Sequence, residues 1–482
     1  MAAGRTVVRR APGKLFVAGE YAVVEAGNPA VLVAVDRQVT VTVSDPHPGP
    51  DPDLDLDTDT GTGTGIRPRP DFGDGPGSGG GSGSGGRSGS GGGSGAGARP
   101  LGRPEAVSGA ASLPGAVSGA GAPAGVPGPG PVPRPRPEAE PEPEPGPRAS
   151  AEAGAGAWGP GVVISSDLGP QRVRWHWRDG RLVEYGPGGA EGARGQLAHV
   201  VSAVEVVGAL LAERGRPVPA MDVRVDSRLH EDGRKYGLGS SGAVTVAAVA
   251  AVAARCALDL APEDHYRLAM LATARIDARA SGGDLAASTW GGWILYRAPD
   301  REHVLDLARR RGVGAMLAAP WPGFAVRRLR PPAGVALEVG WTGEPASTAS
   351  LVSSLDRGTW QGSAAHRGFV RRTGALVAAV AEALDAGDGP GLLEQIRRAR
   401  QELARLDEEA GLGIFTPGLT ALCDAAEAFG GAAKPSGAGG GDCGIALLDA
   451  RASREISHIR QRWATAGVLP LPIRPALEGI EE

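Results

Sequence analysis

The sequence predicts an α+β protein in two lobes, interrupted by one long segment with no core of its own. Two patterns carry the prediction. Valine-rich strands crowd residues 6–43 and return near the end of the chain among helices, the order that suggests strands and helices in separate layers. Glycine and proline are concentrated in one place: about 31 of the 78 glycines and 22 of the 41 prolines lie between Asp45 and Pro160. Without that window about 366 residues of ordinary globular composition remain, enough for two domains or one large α/β unit.

Residues 6–9, 14–18 and 30–43 read as strands, with strict alternation in Val39-Thr40-Val41-Thr42-Val43. Gly13, Gly19 and Gly27-Asn28-Pro29 punctuate them. The window that follows opens with alternating aspartates (Asp51 to Asp59), passes through Gly/Ser repeats and ends in a Pro-Glu run. It cannot bury enough apolar surface to offset chain entropy, so residues 45–160 are expected to form a disordered insertion between two strands. The aspartate run lacks the spacing and terminal Glu of an EF-hand loop and reads as a solvated acidic segment.

Order is expected to resume with strands at 161–165 and 172–177, then a helix at 196–213 whose Leu197, Val200, Val201, Val204, Val207, Leu210 and Leu211 keep helical spacing. A strand at 221–225 and a charged loop at 228–235 lead to a glycine-rich turn. An Ala/Val helix then runs to about residue 258, and Pro262 opens another to about 279. Residues 334–341 read as a strand and 361–387, 390–410 and 417–429 as helices. A second glycine loop precedes a strand at 444–448, and a helix and short strand (468–472) follow.

Composition excludes several classes. With 50 basic and 54 acidic side chains there is no basic footprint for nucleic acid. Residues 1–10 carry no apolar signal segment. The apolar run 243–254 is about 12 residues long, mostly Ala and Val, where a bilayer needs about 20, so it reads as a buried helix. Three scattered cysteines form neither a disulfide framework nor a zinc signature, and the eight histidines show no H-E-x-x-H. The reading is a soluble, cytoplasmic protein without nucleic-acid or membrane partners.

Three segments carry chemistry. Lys235-Tyr236-Gly237-Leu238-Gly239-Ser240-Ser241-Gly242 leads straight into the Ala/Val helix. Glycines let the backbone approach an anion, and the free N–H groups and positive end of the helix hold phosphate oxygens. Ser240 or Ser241 can add a hydroxyl to phosphate or magnesium. The spacing matches neither the Walker pattern nor G-x-G-x-x-G, and taken alone the loop reads sooner as a flexible helix-capping turn. Ala11-Pro12-Gly13-Lys14-Leu15 sets a lysine in a short strand, and Lys434-Pro435-Ser436-Gly437-Ala438-Gly439-Gly440-Gly441-Asp442-Cys443-Gly444 is a second glycine loop.

Together and in this order, the three resemble the motifs of the GHMP kinase superfamily (galactokinase, homoserine, mevalonate and phosphomevalonate kinases). With Ala18-Gly19-Glu20-Tyr21-Ala22, Ser281-Gly282-Gly283-Asp284-Leu285-Ala286 and Val339-Gly340-Trp341-Thr342, the sequence is most similar to the bacterial phosphomevalonate kinase family within it. The resemblance covers nearly everything but the insertion, which is its departure from the family.

That resemblance implies a two-lobed GHMP fold: an N-terminal lobe with a left-handed βαβ unit (1–44 and 161–300) and a ferredoxin-like C-terminal lobe (301–482). It implies ATP with magnesium as phosphoryl donor and (R)-5-phosphomevalonate as acceptor. By the same resemblance Gly237, Leu238, Gly239, Ser240, Ser241 and Gly242 wrap the ATP phosphates, with magnesium at Ser240 or Ser241. Lys14 and Asp284 are the catalytic pair, and Lys235 and Ser281 lie around the transferring group. Ser436, Gly437, Gly439, Gly440 and Gly441 close over the substrate side, where Thr348 is a further candidate.

The residue types suit the reaction. The acceptor is a phosphate monoester with a second ionisation near about 6, so it needs charge neutralisation more than a general base. Asp284 is therefore read as positioning Lys14 or magnesium more than abstracting a proton, and the alternative to both is a helix N-cap after two glycines. Thr342, Ser347 and Thr348 are read either as substrate contacts or as a strand-end turn. Glu20 is read as the partner of a lysine, Cys443 as a packed thiol and His230 as solvated. Two rival functions stay open: another GHMP small-molecule kinase such as mevalonate kinase, and a catalytically silent nucleotide-binding or interaction protein. The sequence leaves monomer or homodimer open.

Overall fold

The computed structural model describes residues 6–46, 161–167, 172–185, 191–231, 233–346, 351 and 360–481. The insertion expected at 45–160 lies, from residue 47 on, outside the described residues.

The valine run is a single long strand, β2 (Pro29–Ser44), with Val39, Val41 and Val43 buried and Thr40, Thr42 and Ser44 half-buried. Its partner β1 (Val7–Ala18) is also continuous, where the sequence suggested two strands divided at Gly13. Gly13 marks a register shift in the antiparallel pairing, not a break. A Cβ there would stand 2.8 Å from both the Leu238 carbonyl oxygen and Leu229 Cδ2, so the glycine lets the later glycine loop pack against β1.

Around β2 grows an eight-stranded sheet from β3 (Gly161–Ser166), β4 (Val173–Arg178), β5 (Arg181–Glu184), β6 (Met221–Ser227), β9 (Trp293–Arg297) and β10 (Ala325–Leu329), with β1 alongside β2. Its order is β10-β9-β2-β6-β3-β4-β5, and only β3 and β6 run parallel. The strands on either side of the insertion are not adjacent: Val43 and Ile164 both lie opposite Val223, on the two edges of β6. The charged loop holds a small hairpin, β7 (His230–Glu231) with β8 (Arg234–Lys235).

Helices α1 (Glu191–Glu213), α2 (Ser240–Arg255), α3 (Pro262–Ala274) and α4 (Gly283–Trp290) share the large core with this sheet. In α2 every residue from 242 to 253 is buried, which is why the Ala/Val run has no polar face. No helix among the described residues is long and apolar enough to cross a membrane. The sequence reading left α4, β9, α5 (Arg301–Arg311), α6 (Val313–Ala318) and β10 unassigned.

The second sheet is β11 (Val335–Trp341), β12 (Ala432–Pro435), β13 (Cys443–Asp449) and β14 (Leu469–Leu471), antiparallel in the order β12-β13-β11-β14. Between β11 and β12 come α7 (Ala364–Ala386), α8 (Gly389–Ala410) and α9 (Pro417–Glu427); α10 (Ser453–Thr465) links β13 to β14. This is the β-α-β-β-α-β connectivity of a ferredoxin-like lobe, with three helices among the described residues in the place of the first. Beyond β14 the chain returns to the first sheet. Arg10 and Glu481 exchange backbone hydrogen bonds, and Ala476 N donates to Ala34 O at 2.9 Å.

Candidate active site

The start of α2 has the features of an anion site. Its cap is Gly239, in left-handed backbone at φ 76°, and no side chain caps the helix or places an acid in its first turn. The first N–H groups and the positive helix end are left for a ligand. Ser240 and Ser241 are the first two helical residues, both half-buried.

Lys14 lies along this loop. Its backbone N donates to Leu238 O at 2.8 Å and its Nζ to Gly237 O at 3.4 Å. A Cβ on Gly239 would fall 2.9 Å from Lys14 Cε and Cγ, so only glycine leaves room for the side chain. Burial pulls the Lys14 ammonium below the usual lysine range, opposed first by Asp284 and then by Asp442.

Asp284 is the second residue of α4. The cap of that helix is Gly282, so Asp284 is not the N-cap of the alternative reading, although its Oδ1 accepts from Leu285 N at 3.0 Å. It packs on the start of α2: a Cβ on Gly242 would lie 2.6 Å from its Cγ and Oδ2. Behind it two buried tyrosines fix the turn. Tyr296 donates to Ser281 O at 2.5 Å and meets Tyr266 OH at 2.8 Å.

The second glycine loop joins the same place from the other sheet. Ser436 Oγ accepts from Phe16 N at 2.9 Å and donates to Phe16 O at 3.1 Å, tying its loop to the strand that carries Lys14. Tyr21 OH donates to Ala438 O, and Cys443 Sγ donates to Tyr236 O at 2.9 Å. Buried Lys434 pairs with Glu20 and donates to Pro435 O at 2.6 Å. Gly440 N donates to Ile414 O at 2.9 Å, and Gly441 packs on Glu344 O. Lys14, Asp284, Gly237, Leu238, Gly239, Ser240, Ser241, Gly242 and Ser436 are thus brought together.

Known proteins bear directly on this arrangement. Residues 199–292 match the family of GHMP kinases N terminal domain and residues 380–465 that of GHMP kinases C terminal. The phosphomevalonate kinase of Streptomyces sp. (strain CL190) is 56% identical over 476 residues, 99% of each chain. The chain belongs to the GHMP kinases, within the phosphomevalonate kinase family. The mevalonate kinase of Pyrococcus horikoshii is 27% identical over 305 residues, 59% of this chain and 76% of the relative. Among solved structures, Streptococcus pneumoniae phosphomevalonate kinase in complex with phosphomevalonate and AMPPNP superposes with a TM-score of 0.64 at 20% identity, covering 97% of this chain and 99% of that one.

In this GHMP kinase, sequence reasoning missed Asp442. Its backbone is left-handed at φ 54°, its Oδ1 accepts from Ala346 N at 3.2 Å, and its carbonyl accepts from Thr342 N at 2.9 Å. A Cβ on Gly237 would lie within 2.7 Å of its carboxyl, so it packs on the glycine loop before α2, which Asp284 meets at Gly242. Burial raises its carboxyl above the usual range, while the Ala346 N–H, Lys14 and Lys235 hold it down. The available signal was one acid set among glycines in a Gly-Gly-Gly-Asp-Cys run.

Other residues stand as follows. Lys235 ends β8 and is exposed. Ser281 accepts through Oγ from Gly283 N at 3.4 Å. The Thr342 hydroxyl donates to Asp442 O at 3.1 Å. His230 is not solvated as expected: it is half-buried with Nε2 3.7 Å from Asp167 Oδ2, because the hairpin folds it back on the sheet. Ser347 and Thr348 lie outside the described residues.

Proposed function

We propose that this chain is an ATP-dependent phosphomevalonate kinase. It moves the γ-phosphoryl group of ATP onto the phosphate of (R)-5-phosphomevalonate, giving (R)-5-diphosphomevalonate and ADP. The observation that carries the reading is the setting of Lys14: buried, laid along an uncapped helix start, and flanked by Asp284 and Asp442. The full-length likeness to the Streptomyces enzyme supports the choice of acceptor, and the AMPPNP in the pneumococcal complex supports ATP as donor.

Two polyanions must meet, so the chain's main task is to supply positive charge that is already in place. The ATP phosphates lie against Gly237, Leu238, Gly239, Ser240, Ser241 and Gly242. Lys14 reaches the transferring group, and incoming phosphate restores its full charge against the pull of burial. Asp284 orients Lys14 and abstracts no proton, because the acceptor oxygen is already largely ionised at neutral pH. Lys235, Ser281 and the loop of Ser436, Gly437, Gly439, Gly440 and Gly441 form the acceptor side, and Thr348 stays a candidate from the sequence.

Magnesium fits the residues present. It is usually bound through one or two carboxylates together with substrate phosphates, and Asp284, packed on Gly242 in the helix turn that Ser240 and Ser241 begin, offers the carboxylate of such a set. When bound it neutralises phosphate charge; Ser240 or Ser241 would hold it. We assign residues 1–44 and 161–300 to the nucleotide lobe, extended to Leu329 by the strand in its sheet, and residues 330–482 to the second lobe. Three buried free thiols support a reducing, cytoplasmic setting.

Coupled ADP release with mevalonate, phosphomevalonate and diphosphomevalonate in parallel tests the assignment. Phosphomevalonate should be turned over, with mevalonate at least about a hundredfold poorer, since a missing phosphate leaves cationic groups unpaired at roughly 3 kcal/mol. Equal rates on mevalonate and phosphomevalonate would sink it.

A further inference from the structure

The side chains of Lys14 and Asp284 meet over Gly239, where a Cβ would lie 2.9 Å from Lys14 Cε and Cγ and 3.3 Å from Asp284 Cβ. Lys14 belongs to β1 and Asp284 to α4, so their meeting depends on how one helix sits on one strand. Ser288 follows Asp284 by four residues and therefore shares its side of the helix. Its hydroxyl is fully buried and donates to the Pro12 carbonyl of β1 at 2.6 Å. Pro12 stands at the register shift of β1, two residues before Lys14, whose backbone N reaches Leu238 O at 2.8 Å. A short path of hydrogen bonds and backbone thus joins the helix of Asp284, the strand of Lys14 and the glycine loop. The next residue offers a contrast. Thr289 is buried too, but its hydroxyl donates to Leu285 O at 2.7 Å, within α4 itself.

We propose that Ser288 is a positioning residue, whose hydroxyl holds α4 on β1 so that Asp284 stays beside Lys14 during phosphoryl transfer; this rests on the assignment of Lys14 and Asp284 as the catalytic pair. Ser288 touches no reactant and acts through Asp284. Tyr296 holds the turn before Asp284 through Ser281 O, and Ser288 holds the turn after it. Of these two anchors, the Ser288 bond is the one that runs to the strand of Lys14. Without it the helix is free to shift on the strand, and small displacements in a reacting array are costly in rate. A serine that merely satisfied a buried carbonyl would change stability and leave the turnover of each folded molecule alone.

The test is steady-state kinetics and thermal melting of the full chain with Ser288→Ala, alone and in the Asp284→Asn background, beside Thr289→Val. In Ser288→Ala kcat should fall at least about tenfold, while the KM for ATP and for phosphomevalonate stay within about threefold. Thr289→Val removes a buried hydroxyl from the same helix and should keep kcat within about twofold. In the Asp284→Asn background Ser288→Ala should lower kcat by less than a further factor of about three, because the group it positions has already been disabled. Unchanged kcat in folded Ser288→Ala protein overturns the proposal. So does an equal fall in Thr289→Val, which marks a general sensitivity of α4, and so does a tenfold loss that persists in the Asp284→Asn background. Unchanged kcat in Asp284→Asn alone would be a different failure, of the catalytic pair itself, and would take this proposal with it.

Discussion

Gly242→Ala separates the position of Asp284 from the stability of the fold. The backbone at 242 is ordinary helix, and alanine is favoured over glycine there by up to about 1 kcal/mol. The new methyl, however, would sit 2.6 Å from Asp284 Cγ and Oδ2 and 2.9 Å from its Cβ. Ordinary contact begins at 3.4 Å, so the carboxylate must retreat by about 0.8 Å. A misplacement of about 1 Å in a reacting array can cost on the order of 10² in rate. The expected result is a kcat lowered about a hundredfold with a melting temperature within a few degrees of wild type. Coupled ADP release and thermal melting on the same preparation would measure both. A kcat within threefold of wild type would refute the claim that Asp284 works from this position. A rise confined to the KM for ATP would instead place the methyl's effect on the nucleotide phosphates.

Asp284→Asn and Lys14→Ala should each lower kcat by about 10² to 10⁴ with little change in the KM for ATP; unchanged kcat in a folded Asp284→Asn protein would move the catalytic carboxylate elsewhere. Replacing residues 46–157 with a turn of about eight residues should leave activity within about threefold and not lower the melting temperature. The strands on either side flank β6, so the gap is about 10 Å, and the shorter loop closes at about 2.4 kcal/mol less entropy cost. Abolished turnover in a folded deletion protein would overturn that. Lys434→Met should cost about 3–5 kcal/mol by leaving Glu20 buried without its partner, whereas Lys434→Met with Glu20→Leu should regain most of it. Equal melting temperatures for the single and double variants would argue against the pair.

What the sequence made legible were stretches whose neighbours in space are neighbours in sequence. The loop through Gly237 and Gly242 announces a helix start because glycines and a long apolar run are adjacent. Lys14 and Asp284 were found through resemblance, since a lysine in a strand and an acid after two glycines have bland readings of their own. Asp442 escaped because its importance comes from left-handed backbone and from contact with Gly237, some two hundred residues away. Glu20 was rightly read as the partner of a lysine, but that the lysine is Lys434 in β12 escaped for the same reason, since the fully buried pair is 414 residues apart in sequence. The unread stretch after Asp284 has a local cause. In α5 three arginines close a strongly charged helix, and β10 is an edge strand with two adjacent arginines, so neither shows a clear apolar period.

The return of the chain to the first sheet has a consequence for the order of synthesis. Helix α4, which carries Asp284, ends at Gly291, and a Cβ there would fall 2.2 Å from the carbonyl carbon of Glu478. Gly292 N donates to Ala476 O at 2.7 Å, and Ile480 N to Thr289 O at 3.4 Å. The segment that covers this end of the helix is therefore translated roughly 180 residues after the helix itself. Until it emerges, the far end of α4 and the Ala34 carbonyl lack these partners on the nascent chain. Phosphoryl transfer should therefore begin only after the second sheet has been made and the tail has crossed back. A chain truncated within α10 would contain every loop of the site and still lack the brace behind Asp284.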